Sequence, residues 1–192
     1  MIILFSVVMI LIKIVAVIYN KEKILEYKDI KNLLYIIYCF ALFMLVTTTD
    51  FSSYSNNFIP FNEIRRYEVT SALFYRNIIG NIALFIPFAF IISDMIKDKI
   101  GKSNLLITSF ICLFTSSTIE TIQMFIGRSF DIDDIILNFA GSIIGYIMYK
   151  AIRKFYNSLP EFFHKDIFKT IFLISFVILF LIIFVIYYEV TR

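Results

Sequence analysis

Residues 104–150 read NLLITSFICLFTSSTIETIQMFIGRSFDIDDIILNFAGSIIGYIMYK. The runs 104–126 and 132–150 are both long enough to cross a bilayer, which takes about 17–25 apolar residues of helix. Only the polar turn 127–131 separates them, so an antiparallel helical pair is expected. The first run carries Ser109, Cys112, Ser116, Glu120, Gln123 and Gly127 at gaps of three or four residues. The second carries Asp131, Asp134, Asn138, Gly141 and Gly145 at the same gaps. Each set therefore lies on one helical face. Polar groups are costly inside hydrocarbon, so these two faces are expected to meet each other rather than lipid.

Working outward, further apolar runs fall at 2–19, 32–49, 77–95 and 170–188. The fold class expected is all-α, a polytopic membrane helix bundle of about six spans in a single domain, 1–192. Composition agrees. The chain is 60% hydrophobic with a mean hydropathy of +0.85, against about 45–50% apolar residues in ordinary soluble domains. The first run lacks a basic leader and a small-residue cleavage site, so it reads as an uncleaved span. Segments 20–31, 96–103 and 150–169 hold twelve Lys and Arg, against five in the segments of the opposite side. Basic residues mark the cytoplasmic side. The Lys-rich loops are therefore expected in the cytoplasm, with loop 50–76, turn 127–131 and both termini outside. Basic residues arranged in this way report orientation, and no nucleic-acid partner is expected.

In the third span Asn77 and Asn81 stand one turn apart beside Gly80. Glu120 and Asn138 are each about six residues from the outer end, roughly 9 Å deep at 1.5 Å per residue, and Asn81 is at a similar level. Three helices thus bring polar side chains to one depth. Arg128 adds a fixed positive charge among Glu120, Asp131, Asp133 and Asp134, and its planar fork suits carboxylates and phosphates. Asp133 lies off the Asp134/Asn138 face, so Asp134 is expected to be the inward acid. The candidate ligand-binding residues are Asn77, Asn81, Glu120, Gln123, Arg128, Asp131, Asp134 and Asn138, with Glu120 and Asp134 as candidates for acid–base work.

Structural roles compete with these. Asp131 begins a helix and suits an N-cap. Gly141-Ser142-Ile143-Ile144-Gly145 is a GxxxG pattern that favours close helix packing. The amides suit interhelical hydrogen bonding, and Pro87 suits a kink. His164 has no metal-spaced partner, Cys39 and Cys112 sit in apolar runs, and neither a metal nor a cofactor is expected.

Loop 50–76 is aromatic and is expected to lie partly among lipid headgroups. Within it stands Asn57-Phe58-Ile59-Pro60-Phe61, followed along the chain by Asn77-Ile78-Ile79-Gly80-Asn81 running on to Pro87-Phe88, then Glu120-Thr121-Ile122-Gln123, then residues 128–146. In that order these blocks resemble the VanZ-like family over about residues 32–150. The last block is the most specific, because arginine, acid pair, asparagine and glycines recur at fixed offsets. The resemblance implies a four-helix core in a bacterial plasma membrane. The chain departs from it in the first and last runs, which extend beyond that core as one flanking span at each end, and in Ala89, which follows Pro87-Phe88 where relatives often have glycine. The resemblance also implies an association with resistance to lipoglycopeptides such as teicoplanin.

Three functions follow as expectations. The first is an envelope protein whose outward site binds a lipid-linked cell-wall precursor, a lipoglycopeptide or another anionic headgroup among the membrane lipids, as a monomer or an oligomer. The second is an enzyme acting on a lipid-linked phosphate or acyl group through Glu120 and Asp134, although no nucleophile with a positioned base stands out. The third is proton- or ion-coupled transport with Glu120 as the coupling group.

Overall fold

The computed structural model describes residues 27–48 and 56–165, together with 168 and 171. The runs expected to span at 2–19 and 170–188 lie outside the described residues, except for residue 171. Among the described residues the chain is all-helical, apart from one isolated parallel bridge between Asn57 and Asp131. The four long helices are α1 (Tyr27–Thr48), α2 (Gly80–Ile100), α3 (Leu105–Phe125) and α4 (Ile132–Asn157). A π-helical stretch, Phe74–Ile79, leads directly into α2. Three segments are long and apolar enough to cross a membrane: Phe74–Ile100, Leu105–Phe125 and Ile132–Asn157. They match the runs expected at 77–95, 104–126 and 132–150. The run expected at 32–49 coincides with α1, whose apolar stretch is Lys31–Leu42.

The ends of these helices follow from local chemistry. Gly101 closes α2 at φ +82, where its N–H donates to Lys97 O at 2.8 Å. Asn104 caps α3, its side-chain oxygen accepting from the N–H groups of Leu106 and Ile107. At the other end of α3, Gly127 adopts φ +88. Its N–H donates to Met124 O, and the N–H of Arg128 donates to Gln123 O at 3.0 Å. That pair of bonds is a Schellman closure, which needs a left-handed residue where glycine stands. Four residues later Asp131 starts α4, accepting from the N–H of Asp133 at 2.8 Å. The capping role anticipated for Asp131 is present.

The chain divides into two compact units, one formed by Leu42–Asn157 and the other by residues before and after it. In the second unit, Phe162, Phe163 and Phe168 pack ring against ring beside a short 3-10 turn, Glu161–His164. The first unit is built around the α2–α4 contact. A Cβ added at Gly141 would lie 2.3 Å from Ile82 O, and one at Gly145 would lie 2.3 Å from Ile86 O. The GxxxG pair therefore lets the two backbones touch. Pro87 sits within α2 beside this contact, and Ala89 in the next turn is fully buried. α3 packs across both helices and presents Thr108, Cys112, Ser116, Ile119, Glu120 and Gln123 inward. Toward the α2–α3 turn the fully buried residue of this stripe is Thr108, whereas the expected Ser109 is only partly covered.

Candidate functional site: a carboxylate cluster at one end of three helices

α3 ends, α4 begins and the Phe74–Ile79 stretch starts at the same end of the first unit. Loop 56–67 is fastened there. Asn57 N donates to Phe130 O at 2.8 Å, and Ile132 N donates to Asn57 O at 3.0 Å. The Asn57 amide donates to Asp131 Oδ1 at 2.8 Å, and the Asn56 side-chain oxygen accepts from Phe130 N. The Phe58 and Phe130 rings stack with centroids 5.2 Å apart.

The strongest fastening is Asp133, which helical periodicity had set aside. It is only 1% exposed. Its Oδ1 accepts from Phe61 N at 2.5 Å, and its Oδ2 accepts from Glu63 N at 2.7 Å and Ile64 N at 3.2 Å. Phe61 adopts φ +64, an uncommon conformation for a residue with a side chain, where it turns its N–H onto this carboxylate. Asp133 belongs to the loop, and Asp134 faces the helices. Helical spacing carries no sign of this role for Asp133, because its partners are backbone groups of a loop and not side chains of neighbouring helices.

The inward acids meet beneath this loop. Asn81 on α2 donates to Asp134 Oδ1 at 2.5 Å. Glu120 on α3 is 2% exposed, and its Oε2 accepts from the N–H of Asp131 at 3.0 Å. Glu120 and Asp134 act on each other electrostatically, and the positive charge of Arg128 acts on both. Asn81, Glu120, Arg128, Asp131 and Asp134 thus form one group. Asn138 lies one turn deeper and donates to Ser116 Oγ at 2.8 Å. Gln123 is buried on the same α3 stripe, and its carbonyl holds Arg128 N. Asn77 goes elsewhere: its amide donates to the Tyr67 hydroxyl at 2.8 Å and secures the outer loop. Among the described residues no three His, Cys, Asp or Glu side chains are grouped to hold a metal ion.

Outside the spans, burial pushes the Asp131 carboxyl up, while the N–H of Asp133 and the Asn57 amide pull it down. Burial likewise pushes up the Tyr67 hydroxyl. For Asp131 the folded value stands above the ordinary 3.8. Its contribution to stability is therefore fully present below that ordinary value and is lost as pH rises through the folded value. Asp131→Asn keeps an acceptor for the helix cap and removes the titration. Its stability relative to wild type is expected to improve as pH rises through this window, which unfolding in detergent at a series of pH values measures. A pH-independent difference would contradict this.

The arrangement can hold a proton or small cation between two carboxylates, or offer Arg128 to an anion. On the exposed side of loop 56–67 stand Arg65 and Arg66, the latter paired with Glu63. Phe58, Ile59 and Phe61 are also exposed there. Neither the curated proteins nor the solved structures contain a match to this chain. The pattern that defines the VanZ/LLP1 family does match, over residues 32–154, nearly two thirds of the sequence. That stretch contains every residue of the cluster, α2, α3 and all but the last three residues of α4, and the chain belongs to the VanZ/LLP1 family.

Proposed function

We propose that this chain is a bacterial plasma-membrane protein that holds the anionic headgroup of a lipid-linked molecule at its extracytoplasmic surface, and that this binding underlies protection against lipoglycopeptides such as teicoplanin. The observation that supports the reading most is the gathering of Arg128 with Glu120, Asp131 and Asp134 under an aromatic, arginine-bearing loop. Guanidinium forks pair with phosphate oxygens in two parallel hydrogen bonds, and Arg65 and Arg66 supply such forks on the exposed face. The acids keep Arg128 in place until a headgroup phosphate takes it over. Both termini lie outside, and the Lys-rich loops face the cytoplasm, by the bias in basic residues.

At equal membrane abundance, Arg128→Ala is expected to lower both lipoglycopeptide protection and the lipid retained on purification by about ten- to a hundredfold, the loss of a charge-assisted contact worth ~1.5–3 kcal/mol. Drug susceptibility and native mass spectrometry read the two effects. Protection and bound lipid both at wild-type levels would rule out the role.

A second reading, an enzyme acting on a lipid-linked phosphate or acyl group, draws on the mutual influence of Glu120 and Asp134. Two carboxyls in unlike environments can divide acid and base work. A Glu120→Gln variant with full turnover on such a lipid would dismiss it.

A further inference from the structure

Among the described residues, Asn138 Oδ1 is a buried acceptor with no hydrogen-bond partner. Asn138 is 5% exposed, in the seam between α3 and α4, and its Nδ2 donates to Ser116 Oγ at 2.8 Å. With the nitrogen turned onto α3, the oxygen points away from Ser116. Helical side chains lean toward the N-terminus of their helix. α4 begins at the carboxylate cluster, so Asn138 leans toward Asp134, one turn before it on the same face. A buried acceptor left unmet is costly, the more so within a membrane. A positively charged or proton-donating partner belongs on this oxygen.

Charge makes the same demand at the same place. Asp134 Oδ1 accepts from Asn81 Nδ2 at 2.5 Å, and Glu120 Oε2 accepts from Asp131 N at 3.0 Å. Neither donor brings a charge. Arg128 acts on both carboxyls, but two carboxylates against one guanidinium leave one negative charge over. A water on Asn138 Oδ1 would meet the oxygen and not the charge, whereas a divalent ion would exceed the charge. A monovalent cation meets both. Oxygen is plentiful here besides: Asn81 and Ser116 each carry a side-chain oxygen beside the Asp134 carboxylate and Asn138 Oδ1. A hard cation uses many oxygens at once, while a proton uses only two.

We propose that Asn81 on α2, Ser116 on α3, and Asp134 and Asn138 on α4 form a binding site for a sodium ion, with Glu120 helping to balance its charge. Residues four apart on a helix hold their Cβ atoms about 5–6 Å apart. One ion spans that gap with bonds of about 2.3–2.6 Å, the lengths found for calcium, which is nearly the same size. The ligands come from three helices, so the ion ties the bundle together where like charges would otherwise push it open. Amide and hydroxyl oxygens supply most of the site, and it has no His or Cys spacing for a sequence to display. The assignment rests on this geometry and not on headgroup binding.

The test follows thermal unfolding of the purified full chain in dodecyl maltoside as sodium chloride replaces choline chloride at constant ionic strength, with binding of radioactive sodium measured on the same samples. Sodium is expected to raise the midpoint saturably, by about 3–6 °C at ten times its dissociation constant. Asp134→Asn and Asn138→Ala should each weaken sodium binding by about ten- to a hundredfold. Asp94→Asn, in the pair with Arg153 at the opposite end of the bundle, should leave it unchanged. Arg128→Ala removes a competing positive charge and should bind sodium more tightly, although the same variant is expected to lose the lipid headgroup, so either reading can fail alone. Absence of bound sodium and of any midpoint shift in the wild type overturns the proposal, whether or not the variants fold; a proton on Asp134 then balances the charge. Wild-type affinity in both Asp134→Asn and Asn138→Ala overturns it as well.

Discussion

Asp133→Ala is expected to release loop 56–67 and to destabilise the first unit by about 3–5 kcal/mol, the lower part of the range for three N–H donors left without an acceptor at about 1–3 kcal/mol each. The carboxylate it deletes accepts three backbone N–H groups, from Phe61, Glu63 and Ile64. None of those donors gains another acceptor unless the loop opens to water, and Phe61 loses the contact that accompanies its left-handed backbone. Relief of the repulsion that Asp133 exerts on Asp131 opposes this loss, but one like-charge contact does not offset three hydrogen bonds. Asp133→Asn, with one acceptor oxygen in place of two, should fall between. Thermal unfolding in detergent measures the stability, and limited proteolysis between residues 57 and 67 measures the release. A variant as stable and as protease-resistant as wild type would show that the loop is held by other contacts.

The second large effect is expected at the α2–α4 contact. A methyl group at Gly145 would meet Ile86 O at 2.3 Å and the Ala89 Cβ at 3.0 Å. The nearest of these is backbone, which cannot rotate aside, so the helices must move apart. Gly145→Ala is expected to cost about 1–3 kcal/mol, as overpacking does elsewhere, and Gly145→Leu to prevent the helices from docking. Gly141→Ala, 2.3 Å from Ile82 O, should behave like Gly145→Ala. Ile147→Ala, at an exposed site on the same helix, should leave stability nearly unchanged. Unfolding midpoints for the four variants decide the matter, and equal midpoints for Gly145→Leu and Ile147→Ala would refute close packing as the role of the glycines.

Much of this core was legible in the sequence because a membrane simplifies the reading. Apolar length located three spans, and the spacing of Cys112, Ser116, Glu120 and Gln123 placed them on one buried face. The same spacing set Asn138 level with Glu120 and Asn81, whereas Asn138 bonds Ser116 one turn deeper and Asn81 meets Asp134. Gly141 and Gly145 were readable since only a missing side chain lets two backbones touch. Loop geometry was not readable. Whether Asp133 turns toward helices or toward Phe61, Glu63 and Ile64 depends on a left-handed residue and a bridge between Asn57 and Asp131, seventy-four positions apart. Neither feature leaves a periodic trace. Asn77 shares the Asn81 face by spacing, but the adjoining π-helical stretch and the nearby Tyr67 hydroxyl give its amide a different partner.

The headgroup reading depends above all on which side of the membrane carries the cluster. Arg65 is exposed on the loop that covers the cluster, so it reports that side directly. The measurement is labelling of Arg65→Cys by a membrane-impermeant maleimide in intact cells, with Cys39 and Cys112 replaced by serine or alanine. Full labelling before permeabilisation is expected if the headgroup reading holds. Labelling only after the membrane is opened would put Glu120, Arg128 and Asp134 at the cytoplasmic face and contradict it.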